Sequence, residues 1–63
     1  MTEIALENHL SVWLVRPLTT EASDWLHNNV QDDALWFGGA LAVEPRYVAD
    51  LVIGLRDDGF SVD

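Results

Sequence analysis

Sixty-three residues without a single cysteine leave a chain few ways to stay folded. A domain of this size buries only about 60% of the surface that its unfolded chain exposes. Disulfides are the usual reinforcement of so small a core, and none can form here. Two histidines and no thiol make a structural zinc site a poor alternative. What remains is one small apolar core, and self-association is the common way to extend it. A homo-oligomer is therefore the expected state. Apolar residues make up 49% of the chain, which is the share of a globular sequence rather than a disordered one. The length excludes a second domain.

Charge narrows the partners. Eleven acidic residues face three arginines and no lysine, for a formal net charge of −8. Arg16, Arg46 and Arg56 are scattered along the chain. Phosphate backbones are bound by clustered lysine and arginine, so nucleic acid is excluded as a partner, as is an anionic membrane surface. A basic protein partner is allowed, and the acidic balance also keeps a small domain in solution. Residues 1–10 carry Glu3 and Glu7 and no basic side chain, unlike a secretory signal. The longest stretch free of charge, residues 34–43, is too short to span a bilayer as a helix. Cytoplasmic residence is the resulting expectation.

Five elements follow from the pattern. Residues 1–9 are weakly patterned and read as a tail or a short edge strand, ahead of a single α/β domain at 10–63. Residues 10–18 are rich in β-branched and aromatic side chains and read as a strand that ends at Pro17. Residues 19–30 read as a helix capped by Thr19, with Glu21 in its first turn. Ala22, Trp25, Leu26 and Val30 form its apolar face, with Asp24, His27 and Asn28 opposite.

Residues 35–43 read as a second strand, apolar on both sides and so central in its sheet. One row holds Phe37, Gly39, Leu41 and Val43; the other holds Trp36, Gly38, Ala40 and Ala42. Pro45 then opens a second helix, where its missing donor costs nothing. Val48, Leu51, Val52 and Leu55 form an i, i+3, i+4, i+7 stripe, so Leu51 and Leu55 should be buried. Gly59 stops this helix, and residues 60–62 read as a third strand. The expected fold is β-α-β-α-β, a three-stranded sheet with two helices. The class is α/β, or α+β if the first connection is antiparallel. Right-handed crossovers would place both helices on one face of a sheet in the order 1-2-3.

The stretch Trp36-Phe37-Gly38-Gly39-Ala40-Leu41-Ala42-Val43-Glu44, followed by Arg46-Tyr47, Asp50-Leu51, Gly54-Leu55 and Asp58-Gly59, resembles a group of small bacterial and phage-associated proteins. The Pro17-Leu18-Thr19 step ahead of Trp25-Leu26 also fits. The resemblance covers residues 12–62 and implies one compact domain. No activity is established for that group, so it implies no catalytic or binding residue.

The candidate chemistries are thin. Histidine is the common general base, so His9 and His27 are candidates, with Ser11 and Ser23 as nucleophiles. No nucleophile turn surrounds either serine, and both histidines read as solvated. Asp32-Asp33 and Asp57-Asp58 lack the alternating spacing of a calcium loop. Gly38-Gly39 lacks the flanks of a phosphate-binding loop and reads as a bulge or a close-packing point. The expectation is no catalysis, no cofactor and no metal.

Trp13, Trp25 and Trp36 are a large aromatic load for one small core. If the larger row of the second strand packs on the helices, the smaller row faces outward. Trp36, Gly38, Ala40 and Ala42 are therefore the candidate interface, with Ile53 on the outer side of the second helix as an addition. The function this implies is a small acidic interaction or accessory module that self-associates as a homodimer. Two alternatives stand beside it: an inhibitor that imitates nucleic acid on a basic host protein, and a small enzyme or subunit completing an active site in trans.

Overall fold

The structure, a computed structural model, describes residues Met1–Asp63. Six elements follow one another as β1 (Ile4–Asn8), β2 (Trp13–Pro17), α1 (Thr20–Asn29), β3 (Trp36–Phe37), β4 (Ala40–Val43) and α2 (Pro45–Asp57). The four strands form one antiparallel sheet in the order β1-β2-β4-β3. The fold is α+β with the order β-β-α-β-β-α, and this corrects the expected three strands in the order β-α-β-α-β.

Two hairpins account for the difference. Residues 1–9, read as a tail or a short edge strand, supply β1, which pairs with β2 from Ile4↔Pro17 to Asn8↔Trp13. The turn between them has no glycine. Leu10 takes a positive φ of 66° instead, and its amide donates to the Asn8 side chain. The second hairpin splits the apolar run that reads as one strand. Gly38 and Gly39 have φ of 55° and 81°, the pair of positive values that a two-residue type I′ turn requires. They are a hairpin turn, neither a bulge nor a packing point.

The helices form where the local signals place them. The Thr19 hydroxyl accepts from the Ala22 amide at 3.1 Å and caps α1. Pro45 is at the start of α2. At its end Gly59 has φ of 92°, its amide donates to the Arg56 carbonyl, and the Phe60 amide reaches the Leu55 carbonyl. Those two bonds are a Schellman stop. The expected third strand shrinks to a single parallel bridge between Ile4 and Val62, so the chain end lies along β1.

Both helices pack on one face of the sheet. Ala22 and Leu26 of α1, Leu55 of α2, and Ile4, Val15 and Leu41 of the strands form one buried cluster. Leu55 is fully buried, whereas Leu51 is only half-buried, in contrast to the expectation that both are enclosed. Trp25 ties the helices together. A Cβ on Gly54 would lie 3.4 Å from its ring, its indole N–H donates to Asp58, and Phe60 meets it edge-on at 6.3 Å. No helix is long and apolar enough to cross a membrane.

Candidate functional site

Strand register decides what each sheet face presents. Cross-strand partners share a face, so Val15, Leu41 and Trp36 point to the helices together. The opposite face carries Ala5, Glu7, Leu14, Arg16, Phe37, Ala40 and Ala42, and no helix covers it. Ala40 and Ala42 thus take the outer-side register, with Leu41 and Val43 packed inward, but Ala40 is fully buried and only Ala42 of the two keeps partial exposure. Trp36 does not join them. The two-residue turn reverses the alternation, so Trp36 shares a face with Leu41, while Phe37 shares one with Ala40. Trp36 packs against the core and stacks on His27. Gly38 belongs to the turn, and Ile53 is exposed on α2, away from the sheet. The structure therefore divides the five candidate interface residues among four places.

The outer face is nearly neutral. Its two charged side chains are Glu7 and Arg16, and they bind each other: Arg16 Nε donates to Glu7 Oε2 at 3.0 Å. Arg16 Nη1 also donates to the Gly38 carbonyl at 3.1 Å. One side chain thus links the edge strand β1 to the β3–β4 turn, across the β2–β4 centre of the sheet. His9 approaches the other Glu7 oxygen at 3.3 Å. The hydrogen bond from Arg16, then that from His9, then the Arg16 charge hold the Glu7 carboxyl below its ordinary pKa of 4.5. Sequence reading missed this clamp because Arg16 looks isolated until β1 and β2 are known to be a hairpin. In that register Glu7 and Arg16 are diagonal neighbours.

A second surface lies on the helix side. Trp25 of α1 meets Gly54 of α2, and beside this contact an open groove of 820 Å³ lies between residues of the two helices, floored by β4. Leu41, Val43 and Leu51 line it, with Val30 and Tyr47 towards its far end. Asp33, Glu44 and Asp50 are its charged lining residues.

The catalytic and metal candidates do not assemble. The His27 ring donates from Nδ1 to the Ser23 carbonyl at 2.8 Å, not to the Ser23 hydroxyl. His9 is held by Glu7 on an exposed strand end. Asp58 accepts from Trp25, and no group of three or more histidine or acidic side chains is placed to hold a metal ion.

No family model matches this chain, and neither the curated proteins nor the solved structures yield a significant match. The resemblance noted above rests on the quoted residues alone. Several of those residues have structural work: Gly38 and Gly39 form the turn, Gly54 seats Trp25, and Asp58-Gly59 closes α2.

Proposed function

We propose that this chain is a non-catalytic interaction module that self-associates through the outer face of its sheet. One observation carries the reading: both helices cover the same face, which leaves Leu14, Phe37 and Ala42 on the other, where the two charged strand residues, Glu7 and Arg16, pair with each other; Ala40 lies in the same register but is fully buried. An antiparallel sheet with one solvated face normally alternates apolar and polar side chains. This sheet is apolar on both sides. Charge supports a second copy as the occupant. A chain of net charge −8 repels its own kind over most of its surface, and the outer sheet face is where that repulsion is weakest. Small side chains there let two sheets approach closely around a two-fold axis. The expected setting is the cytoplasm, in keeping with a chain free of cysteine.

Sedimentation equilibrium from low to high micromolar concentration tests the reading. A dimer is expected, and Leu14→Glu, which puts a charge in the middle of the face, should give a folded monomer. A parent chain that stays strictly monomeric throughout the range would sink the proposal.

A further inference from the structure

The groove between the helices points to a different partner, on the side of the molecule opposite the bare sheet face. Its shape comes from an incomplete closure. Val48 and Leu55, at the two ends of the α2 stripe, are buried, but Leu51 between them is only partly buried, packed on the core on one side and lining the groove on the other. Trp25 of α1 closes over Gly54, one turn further along α2, and leaves Leu51 in the lining of the groove. Leu51 and Val43 are left as apolar floor under an opening to solvent. A helix stripe that is buried at both ends and only partly covered in the middle can receive an apolar side chain from outside.

Charge says what such a side chain must come with. The lining contains Asp33, Glu44 and Asp50 and no lysine, arginine or histidine. Glu44 is engaged by Arg46 at 3.5 Å, which leaves Asp33 and Asp50 as rim carboxylates without an ion pair. They come from different elements, the α1–β3 loop and α2, and so stand on either side of the floor. A second copy cannot supply the complement: the chain has three arginines and no lysine against eleven acidic residues. A small apolar molecule would remain largely wet in a groove this open, whereas small-ligand sites enclose most of their ligand. The occupant that answers both floor and rim is an amphipathic helix with a leucine-type anchor flanked by lysine or arginine.

We propose that the groove between α1 and α2 docks a basic amphipathic segment of a partner protein, its apolar anchor on Leu51 and Val43 and its cationic side chains on Asp33 and Asp50. The probe is a synthetic amphipathic helix of leucine and lysine, titrated into isotope-labelled protein by NMR. Two controls accompany it: the same pattern in leucine and glutamate, and a lysine–serine peptide without apolar anchors. The leucine–lysine peptide should shift the Trp25 indole and the Leu51 and Val43 methyl signals saturably. Neither control should do so. The double variant Asp33→Asn/Asp50→Asn, both changes at exposed sites, should keep its dispersed spectrum and bind about tenfold more weakly, as expected for two rim charges. Undiminished affinity in the double variant overturns the proposal. So does equal binding of the lysine–serine peptide, a shift pattern centred on Leu14 and Phe37, or no saturable binding at all. The groove lies away from the outer sheet face, so this outcome is independent of self-association.

Discussion

The imidazole of His27 lies flat on the indole of Trp36, with ring centroids 4.1 Å apart and planes 8° from parallel. The contact joins the polar side of α1 to the short edge strand β3. His27 is held in place by its bond to the Ser23 carbonyl one turn earlier. A residue that reads as solvated therefore acts as a lid over an aromatic that would otherwise be exposed at a sheet edge.

His27→Ala should remove that lid. The expected results are a red-shifted tryptophan emission and faster quenching by acrylamide. The stability loss should be only about 0.5–1 kcal/mol, because the stack is exposed. Unchanged quenching would mean that the ring does not shield Trp36 in solution.

The β3–β4 turn should reject side chains unequally. Gly39 has φ of 81°, and alanine in the left-handed region costs roughly 1–2 kcal/mol. No atom lies within 4 Å of the Cβ that a substitution would add, so the penalty is purely conformational. Gly38→Asn should be close to neutral, because asparagine is favoured at the first position of a type I′ turn. Urea denaturation of Gly39→Ala and Gly38→Asn gives the comparison, and equal midpoints would contradict the turn assignment.

Leu55 and Leu51 should separate in a truncation series. Leu55 is fully buried, so Leu55→Ala should cost about 2–5 kcal/mol. The total stability of a domain this size is roughly 3–9 kcal/mol, so much of that population should be unfolded at room temperature by circular dichroism. Leu51 lines the open groove, and Leu51→Ala should cost about 1–2 kcal/mol and leave a cooperative melt. The reverse order would place the core at the wrong end of the stripe.

Glu7 makes stability depend on pH in a known direction. Its folded pKa lies below the ordinary 4.5, because Arg16 and His9 bind the ionised form. Such a group contributes stability that is fully present above its unfolded pKa and is lost as pH falls through the lowered folded value. The urea midpoint of the parent should exceed that of Glu7→Gln by a small constant amount at neutral pH. The gap should narrow once the pH drops below 4.5. A gap that persists unchanged into strong acid would show that the Arg16 bond does not favour the charged form.

What the sequence discloses here depends on where each signal is stored. The two helices are legible because Thr19, Pro45, the α2 stripe and Gly59 act within a few residues of themselves. The β1–β2 hairpin is not legible, because its turn puts a leucine where glycine or asparagine is the usual sign, and the bond to Asn8 that supports Leu10 is invisible in composition. Residues 35–43 mislead for another reason. A run apolar on both sides looks the same whether it is one buried strand or two strands folded back through Gly38-Gly39. Only the second case puts Trp36 and Leu41 on one face. Of the small row, Ala40 and Ala42 keep a common register, but Ala40 is fully buried. The groove has no sequence signature, because it exists only where α1 and α2 fail to meet.

The bridge from Val62 to Ile4 also bears on how the molecule comes into being. Ser61 and Glu3 are joined by hydrogen bonds although 58 positions separate them. Ile4 is fully buried, so the first strand supplies a central core residue, yet one flank of that strand is secured only by residues 61–63. During synthesis the β1–β2 hairpin emerges early and must wait, and a lone hairpin is marginal in water. Contacts this distant in sequence are slow to close. No fragment that lacks residues 61–63 completes the flank of β1, so folding is expected to become all-or-none once they are available. A ribosome stalled before residue 61 would display β1 as an open template for pairing with other chains.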